Sequence, residues 1–416
     1  MDKTICELFA GVGGFRLGME RLNTDWKTVW FSQWEPDKQK QWAHACYVKH
    51  FGDCPDMNGE YHTNDDINTV KKETIPDHTL LMISSPCQDY SIAHTKSTSY
   101  GIEGKKGVLW WQAREVIAVK QPKFVIFENV DRLLKSPAKQ RGRDFGIILK
   151  CFADLDYTVE WRVVNSAKYG AAQRRKRLFL FAYRNDTVYG KEHWNMTPTD
   201  IISFGFMNQS FEAGTVTAIS EVKLADDIFD VQDTFSYNFE NAGFMRNGII
   251  YSCKVDEDLT RYGDKKIENI TTLGDILQHN VDSTCFITEE KLEKWKYLKG
   301  AKKFNRTSKD GHSYIYSEGA IPYPDSNANP SRTLLTSEGS INRCSHVVED
   351  LDTHKYRILT PVETERLQGF DDDWTKETTI GEMSNRMRYF CMGNSLVVSM
   401  ITRMGKTLDK IIEYEK

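Results

Sequence analysis

The chain has 416 residues, of which 40% are hydrophobic and 27% charged, with a formal net charge of −4. These are the proportions of an ordinary globular protein, and the length suffices for two to three domains around a large core. A mean hydropathy of −0.54, with no apolar run near the ~20 residues of a membrane helix, excludes a membrane-spanning protein. Collagen, coiled coil and disordered tail are excluded as well.

The opening MDKTICELF lacks the layout of a secretory signal, so a cytoplasmic protein is expected. The nine cysteines form no Cys-x-x-Cys and no zinc-finger spacing, so reduced thiols and no metal site are expected. The charge speaks against a histone-like protein but leaves room for a local basic face.

The first ~185 residues alternate strand-like and helix-like stretches. Thr4–Phe9, Thr28–Ser32, Leu80–Ser84, Phe124–Phe127 and Leu178–Tyr183 read as strands. Gly14–Leu22, Lys38–His50 and Leu109–Lys120 lie between them as helices. This pattern predicts an α/β fold, a mixed and mostly parallel sheet with helices on both faces. Ligands of such sheets sit beyond the carboxyl ends of the strands.

From about residue 188 the periodicity weakens. Between Lys291 and Lys309 there are eight Lys or Arg against one Glu, with Trp295, Tyr297 and Phe304 interleaved. This is a solvated helix face or a nucleic-acid surface. A second basic run spans Arg132 to Arg143. Regular patterning returns with the apolar helical run Leu396–Leu408, as if the chain rejoined its first domain. The expected units are 1–187, a smaller recognition domain with hinge at 188–375, and a returning segment at 376–416.

The chemistry-bearing motifs fall at predicted strand ends. Phe9-Ala10-Gly11-Val12-Gly13-Gly14 opens a helix, where glycines let the backbone approach a cofactor. Arg16 stands where a dinucleotide fingerprint carries its third glycine, which favours a nucleoside cofactor without phosphates. Glu35, about 20 residues on, is placed to accept ribose hydroxyls, Trp34 offers a flat face to adenine, and Asp66-Ile67 is placed for the adenine edge.

Ser84-Ser85-Pro86-Cys87-Gln88 follows the apolar run Leu80–Ile83. A Cys just past a strand end, held by a preceding Pro, is positioned as a nucleophile. The polar stretch 88–107 behind it has the composition of a loop that closes over a substrate. Glu128 and Asn129 end the next apolar run, and a carboxyl there could protonate a ring nitrogen. In Gln173-Arg174-Arg175-Lys176-Arg177, alternate residues of an extended segment place Arg175 and Arg177 on one face.

Together and in this order, the segments resemble the DNA cytosine-5 methyltransferases. Phe9 to Gly14 is similar to the family's cofactor loop, Pro86-Cys87-Gln88 to its nucleophile motif, Glu128-Asn129-Val130 to its acid motif and Gln173 to Arg177 to its Gln-x-Arg-x-Arg. Arg357 to Pro361 with Glu363, Glu365 and Gly369-Phe370 resembles a further motif, and Gly393-Asn394-Ser395 the last. Leu134 to Pro137, Gln140 to Phe145 and Arg388 to Asn394 also resemble bacterial modification methyltransferases of GATC-specific restriction–modification systems.

The resemblance implies a Rossmann-like S-adenosylmethionine-binding domain and a target-recognition domain. It implies methyl transfer to carbon 5 of a cytosine flipped out of duplex DNA. Cys87 would form a covalent adduct at carbon 6, Glu128 would bind and protonate the ring, and Arg175 and Arg177 would position the base. Phe9, Gly11, Val12, Gly13, Gly14, Trp34, Glu35, Asp66, Ile67, Pro86, Leu109, Asn394 and Ser395 would form the cofactor site. Family members carry the acid before the aromatic at Trp34-Glu35, so which of the two meets the ribose stays open. Gln88, Ser91, Lys299, Lys302, Lys303 and Arg306 are the candidate DNA contacts. A monomer, with a cognate restriction endonuclease as functional partner, is expected. An RNA (tRNA) cytosine-5 methyltransferase and a non-catalytic DNA-binding homologue are the competing readings.

Overall fold

In the computed structural model, which describes residues 1–36, 38–84, 109–214, 217–257, 270–307 and 311–415, the N-terminal strands and several later ones join one nine-stranded sheet. Its strands are β1 (Thr4–Leu8), β2 (Lys27–Ser32), β3 (Leu80–Ile83), β4 (Phe124–Val130), β5 (Tyr157–Asn165), β6 (Lys176–Arg184), β7 (Ser220–Lys223), β8 (Ala242–Arg246) and β9 (Ile249–Cys253). Their order is β2-β1-β3-β4-β6-β5-β8-β9-β7. The first four run parallel; from β4 onward every pairing is antiparallel.

The helices are α1 (Gly14–Glu20), α2 (Trp42–Phe51), α3 (Leu109–Lys120), α4 (Arg143–Asp154), α5 (Val188–Trp194), α6 (Pro198–Phe204), α7 (Phe206–Ser210), α8 (Ile228–Thr234), α9 (Glu289–Lys299), α10 (Pro361–Gln368), α11 (Asn385–Asn394) and α12 (Val398–Tyr414).

The pleat sorts the strand residues onto two cores. Leu81, Ile83, Val125, Phe127, Leu178 and Leu180 face α3, α4 and α8. Leu80, Met82, Phe124, Ile126, Phe179 and Phe181 face α1, α7 and α12. Central strands buried on both faces explain the continuous apolar runs in the sequence. α4 buries Phe145, Ile148, Leu149 and Phe152, an i, i+3, i+4, i+7 stripe. α12 does the same with Met400, Ile401, Met404, Leu408 and Ile411, which brings the last helix against α1 and the sheet. Full burial of each such side chain contributes about 1.5–3 kcal/mol.

The sheet does not end at residue 187. β8 pairs with β5, and β9 and β7 follow it, so strands up to Cys253 belong to the same sheet as β1. The reason is edge pairing: β5, absent from the sequence reading, leaves an open edge that β8 covers. Beyond residue 270 a small core of Leu273, Ile276, Leu277, Val348, Leu359 and Leu367 takes over. Buried ion pairs brace it, Arg357 with Asp350 and Glu363 at 2.8 and 2.7 Å. From it projects a hairpin of β10 (Lys302–Thr307) and β11 (Ser313–Glu318).

Candidate active site and cofactor cradle

β1, β3 and β4 are adjacent and parallel, so their carboxyl ends lie on one rim. At the end of β1 the chain reverses through Phe9 and Gly11, both left-handed with φ of 60° and 58°. A non-glycine residue in that region is strained, and such strain gathers at functional turns. The Gly11 N–H donates to Gln33 Oε1 at 2.7 Å, and Gln33 N–H to the Thr63 carbonyl at 2.8 Å. Gln33, at the end of β2, therefore holds the loop open. Its role was not read from the sequence, where the adjacent aromatic and acid drew attention.

A Cβ on Gly11 would meet nothing within 4 Å, whereas one on Gly13 would strike the Phe51 ring at 2.4 Å. Gly11 thus borders free space, and Gly13 is a packing requirement. Val12 is buried among α2 and α11 side chains, and Gly14 sits under Leu396 and Phe370.

Glu35 is half-buried, and burial raises its pKa. Its Oε2 is buried without a hydrogen-bond partner. Its backbone is clamped by Gln41, which accepts from Glu35 N–H and donates to its carbonyl at 2.7 and 2.8 Å. Trp34 beside it is 39% exposed. An unpaired carboxylate oxygen, an exposed indole and an open glycine turn suit the hydroxyls, the purine and the backbone-hugging chain of S-adenosylmethionine.

Asp66 stands at the turn after this region, its Oδ1 accepting from Asn68. The Ile67 side chain is buried at 3% exposure with Trp30 and Val70. Leu109 starts α3 and packs on the same core. Asn394 is exposed at the end of α11, and Ser395 caps that helix.

Glu128, buried, is the last carboxylate of β4. Ser84 Oγ donates to its Oε2 at 3.0 Å, and Arg177 Nε lies 3.0 Å from its Oε1. β6 runs antiparallel to β4, so Arg177 is diagonal to Glu128 on the same face. The carboxyl is fixed from both sides at the rim. Residues 85–108, which include Pro86, Cys87, Gln88 and Ser91, lie outside the described residues.

Arg175 does not share that task. The backbone turns tightly before β6, with Arg175 N–H donating to the Gln173 carbonyl at 2.9 Å. The alternation rule therefore fails at this position. The Arg175 guanidinium is buried and donates to the carbonyls of Leu334, Gly393 and Ser395 at 3.0, 3.0 and 2.6 Å. Burial, then the neighbouring Arg177, pushes its pKa down to about 9. Gln173 joins it, accepting from Leu334 N–H at 2.8 Å and donating to the Leu367 carbonyl at 3.3 Å. Arg175 thus ties the segments at 334 and 393–395 to the start of β6, the strand paired with that of the acid.

The expected DNA contacts divide as well. Lys299 is 1% exposed and donates to the Ser345 carbonyl beneath Trp295. Burial pushes its pKa down to about 8, so it is a structural anchor unavailable to a phosphate. Lys302 is half-buried between Tyr297 and Glu318. Lys303 and Arg306 are exposed on the hairpin.

A glycine-turned β1, an acid after β2 and a twisted sheet flanked on both faces define a Rossmann-like methyltransferase that uses S-adenosylmethionine. The model of the C-5 cytosine-specific DNA methylases matches residues 3–410. The chain is 45% identical to the Type II methyltransferase M.Sau3AI of Staphylococcus aureus, over 98% of this chain and 95% of that protein. It is 27% identical to the orphan methyltransferase M.SPRI of Bacillus phage SPR, over 97% of each. In fold it is similar to the S. pombe Dnmt2 methyltransferase (TM-score 0.57, 14% identity, 99% of this chain and 98% of that one). The chain therefore belongs to the C-5 cytosine-specific DNA methylase family. It is a DNA (cytosine-5) methyltransferase whose methyl donor is S-adenosylmethionine.

Proposed function

We propose that this enzyme methylates the cytosine of GATC in duplex DNA through a covalent adduct of Cys87. It acts as a monomer in the cytoplasm, as the modification partner of a restriction endonuclease. The observation that carries the catalytic part is Glu128, buried at the strand end and held between Ser84 and Arg177. Ser84, three residues before Cys87 in the sequence, follows β3, the strand beside that of Glu128. The GATC assignment and the endonuclease rest on the likeness to GATC-type modification enzymes and on M.Sau3AI being a Type II methyltransferase.

Carbon 5 of cytosine is a weak nucleophile. The Cys87 thiolate bonds to carbon 6 while Glu128 delivers a proton to N3, and the displaced electron pair makes carbon 5 nucleophilic. S-adenosylmethionine supplies the electrophilic methyl group from its sulfonium. A base then takes the carbon 5 proton, the carbon 6–sulfur bond breaks, the 5,6 double bond reforms, and the N3 proton returns to Glu128. Carbon 6 is shielded inside the stack, so the base is flipped out first. Arg177 fixes the Glu128 carboxyl through this cycle, and Arg175 keeps the rim and the recognition part in register. Glu35 and Gln33 hold the cofactor end of the cleft.

Labelled S-adenosylmethionine and plasmid DNA, followed by single-base mapping, test the reading. Methylation confined to GATC is expected. Another single motif would overturn the target, and label in tRNA alone would move the substrate to RNA. Cys87→Ser is expected to keep the fold and lose at least about 10³-fold in turnover; near-normal turnover would remove Cys87 as nucleophile.

A further inference from the structure

The β10–β11 hairpin is a two-stranded ribbon exposed on both sides over most of its length. Such ribbons are marginal alone, and among the described residues this one is stabilised from one face only. There Arg306 stacks over Tyr316 and Phe304, at 4.1 and 5.1 Å to the ring centres. At its base Lys302 packs on Tyr297, and Glu318 faces Lys302 and Arg343.

The opposite face carries Lys303, Asn305, Thr307, Ser313, Ile315 and Ser317, set by the register Lys303↔Ser317, Asn305↔Ile315 and Thr307↔Ser313. Among the described residues, no side-chain hydrogen bond or ion pair engages any of its polar members. Ile315, directly opposite Asn305, is 70% exposed. The described hairpin residues hold three Lys or Arg against one Glu.

A two-stranded ribbon fits the ~12 Å major groove of B-DNA, where Asn pairs bidentately with adenine N6 and N7 and apolar groups meet the thymine methyl. Directly opposed residues have Cβ atoms about 5 Å apart, so Asn305 and Ile315 can address one base pair together. We propose that this face of the hairpin enters the major groove and that the Asn305–Ile315 pair reads an A·T base pair of the target. Asn305 hydrogen-bonds the adenine, and Ile315 contacts the thymine methyl. Arg306, on the other face, stiffens the ribbon and adds charge. The inference rests on the enzyme acting on duplex DNA, and it needs an A·T pair in the target but no particular sequence.

The test uses duplexes carrying the mapped target with single-atom-group changes, 7-deazaadenine for adenine and uracil for thymine, against wild type, Asn305→Ala and Ile315→Ala. Melting temperature checks that each variant folds. Wild type is expected to lose about 5- to 100-fold in kcat/KM on each altered duplex. Asn305→Ala loses a similar factor on the natural duplex and becomes indifferent to 7-deazaadenine, while Ile315→Ala becomes indifferent to uracil. Undiminished sensitivity in the variants, unchanged kcat/KM on the natural duplex, or a mapped target without an A·T pair overturns the inference. A change in sedimentation with unaltered methylation would make the hairpin a contact between copies of this chain and also overturn it. If the wild type methylates no DNA, the methyltransferase reading falls and takes this one with it; methylation at a motif other than GATC that contains an A·T pair leaves this test intact.

Discussion

Lys299 and Arg306 stand seven positions apart in one basic run, yet burial separates their tasks. The Lys299 ammonium lies under Trp295 on the Ser345 carbonyl, whereas Arg306 is exposed. Removing a phosphate contact lowers the salt slope of DNA binding by about 1. Arg306→Ala is therefore expected to flatten that slope by about 1 and to loosen the hairpin it stacks on, while the two cores of the large sheet stay intact. Lys299→Ala should cost about 1–3 kcal/mol in denaturant unfolding, because the Ser345 carbonyl loses one of its two donors, keeping only Arg332 at 3.3 Å, and a cavity opens, with the slope unchanged. Equal salt slopes for Arg306→Ala and wild type would remove Arg306 from the DNA surface. Composition showed the run of charge; only packing tells which member meets solvent.

At the scale of the element, the β1–α1 turn and the α11 end are set by close backbone approach. Gln33→Ala would free the Gly11 N–H and let the Phe9–Gly13 turn relax. The expected result is a 10-fold or larger rise in the dissociation constant for S-adenosylmethionine by calorimetry, with a smaller change in kcat at saturating cofactor. An unaltered dissociation constant would show that the loop keeps its shape without Gln33. Gly393 packs its Cα where a Cβ would lie 2.3 Å from the Thr336 backbone nitrogen. Backbone cannot move aside as a flexible side chain can, so Gly393→Ala is expected to destabilise by about 1–3 kcal/mol. It should also loosen the Arg175 strap, seen as faster hydrogen exchange at 334–336. A melting temperature equal to wild type would contradict the close approach.

Such elements were legible in uneven measure. The helix ending at Lys120 was read to its last residue, and the strands before the glycine turn and Glu128 to within a few residues, because long apolar periodicity follows the backbone geometry. β5 was missed. It carries Glu160, Arg162 and Thr158 among its apolar residues, all buried; its ladders to β6 and β8 place it in the sheet, and Glu160 is satisfied by accepting from the N–H groups of Phe206 and Met207 at the start of α7. A buried polar residue looks like a loop residue until its partner, about 46 positions away, is in place.

For the whole molecule, two fully buried carboxyls make stability depend on pH. Burial pushes Glu7 and Glu160 up to about 7, while an unfolded Glu ionises near 4.3. Between those values the unfolded chain releases a proton that the native state keeps, so stability falls as pH rises from about 4.5 to 7. The slope is about 1.4 kcal/mol per pH unit for each group. Above about 7 both states are ionised and this contribution levels off. Glu7→Gln should lower the slope by roughly one group's share in denaturant titrations at pH 5, 6 and 7. A slope equal to wild type would show that Glu7 is ionised in the native state already.

Sequence alone determined the chemistry of the ends of the strands. Apolar runs of strand length specify where a sheet must lie, and the polar residues that follow each run necessarily arrive at its rim, so Phe9 to Gly14, Glu35 and Glu128 could be placed without coordinates. The tertiary structure decided how the polar groups are shared out. It gave Arg177 to Glu128 and Arg175 to three distant carbonyls, buried Lys299 and Ile67, and carried the sheet through β8, β9 and β7. Periodicity is a local property of the backbone and survives in the sequence. The partner of a buried charge is fixed by which segments fold against it, and for Arg175 one of those lies 220 residues away.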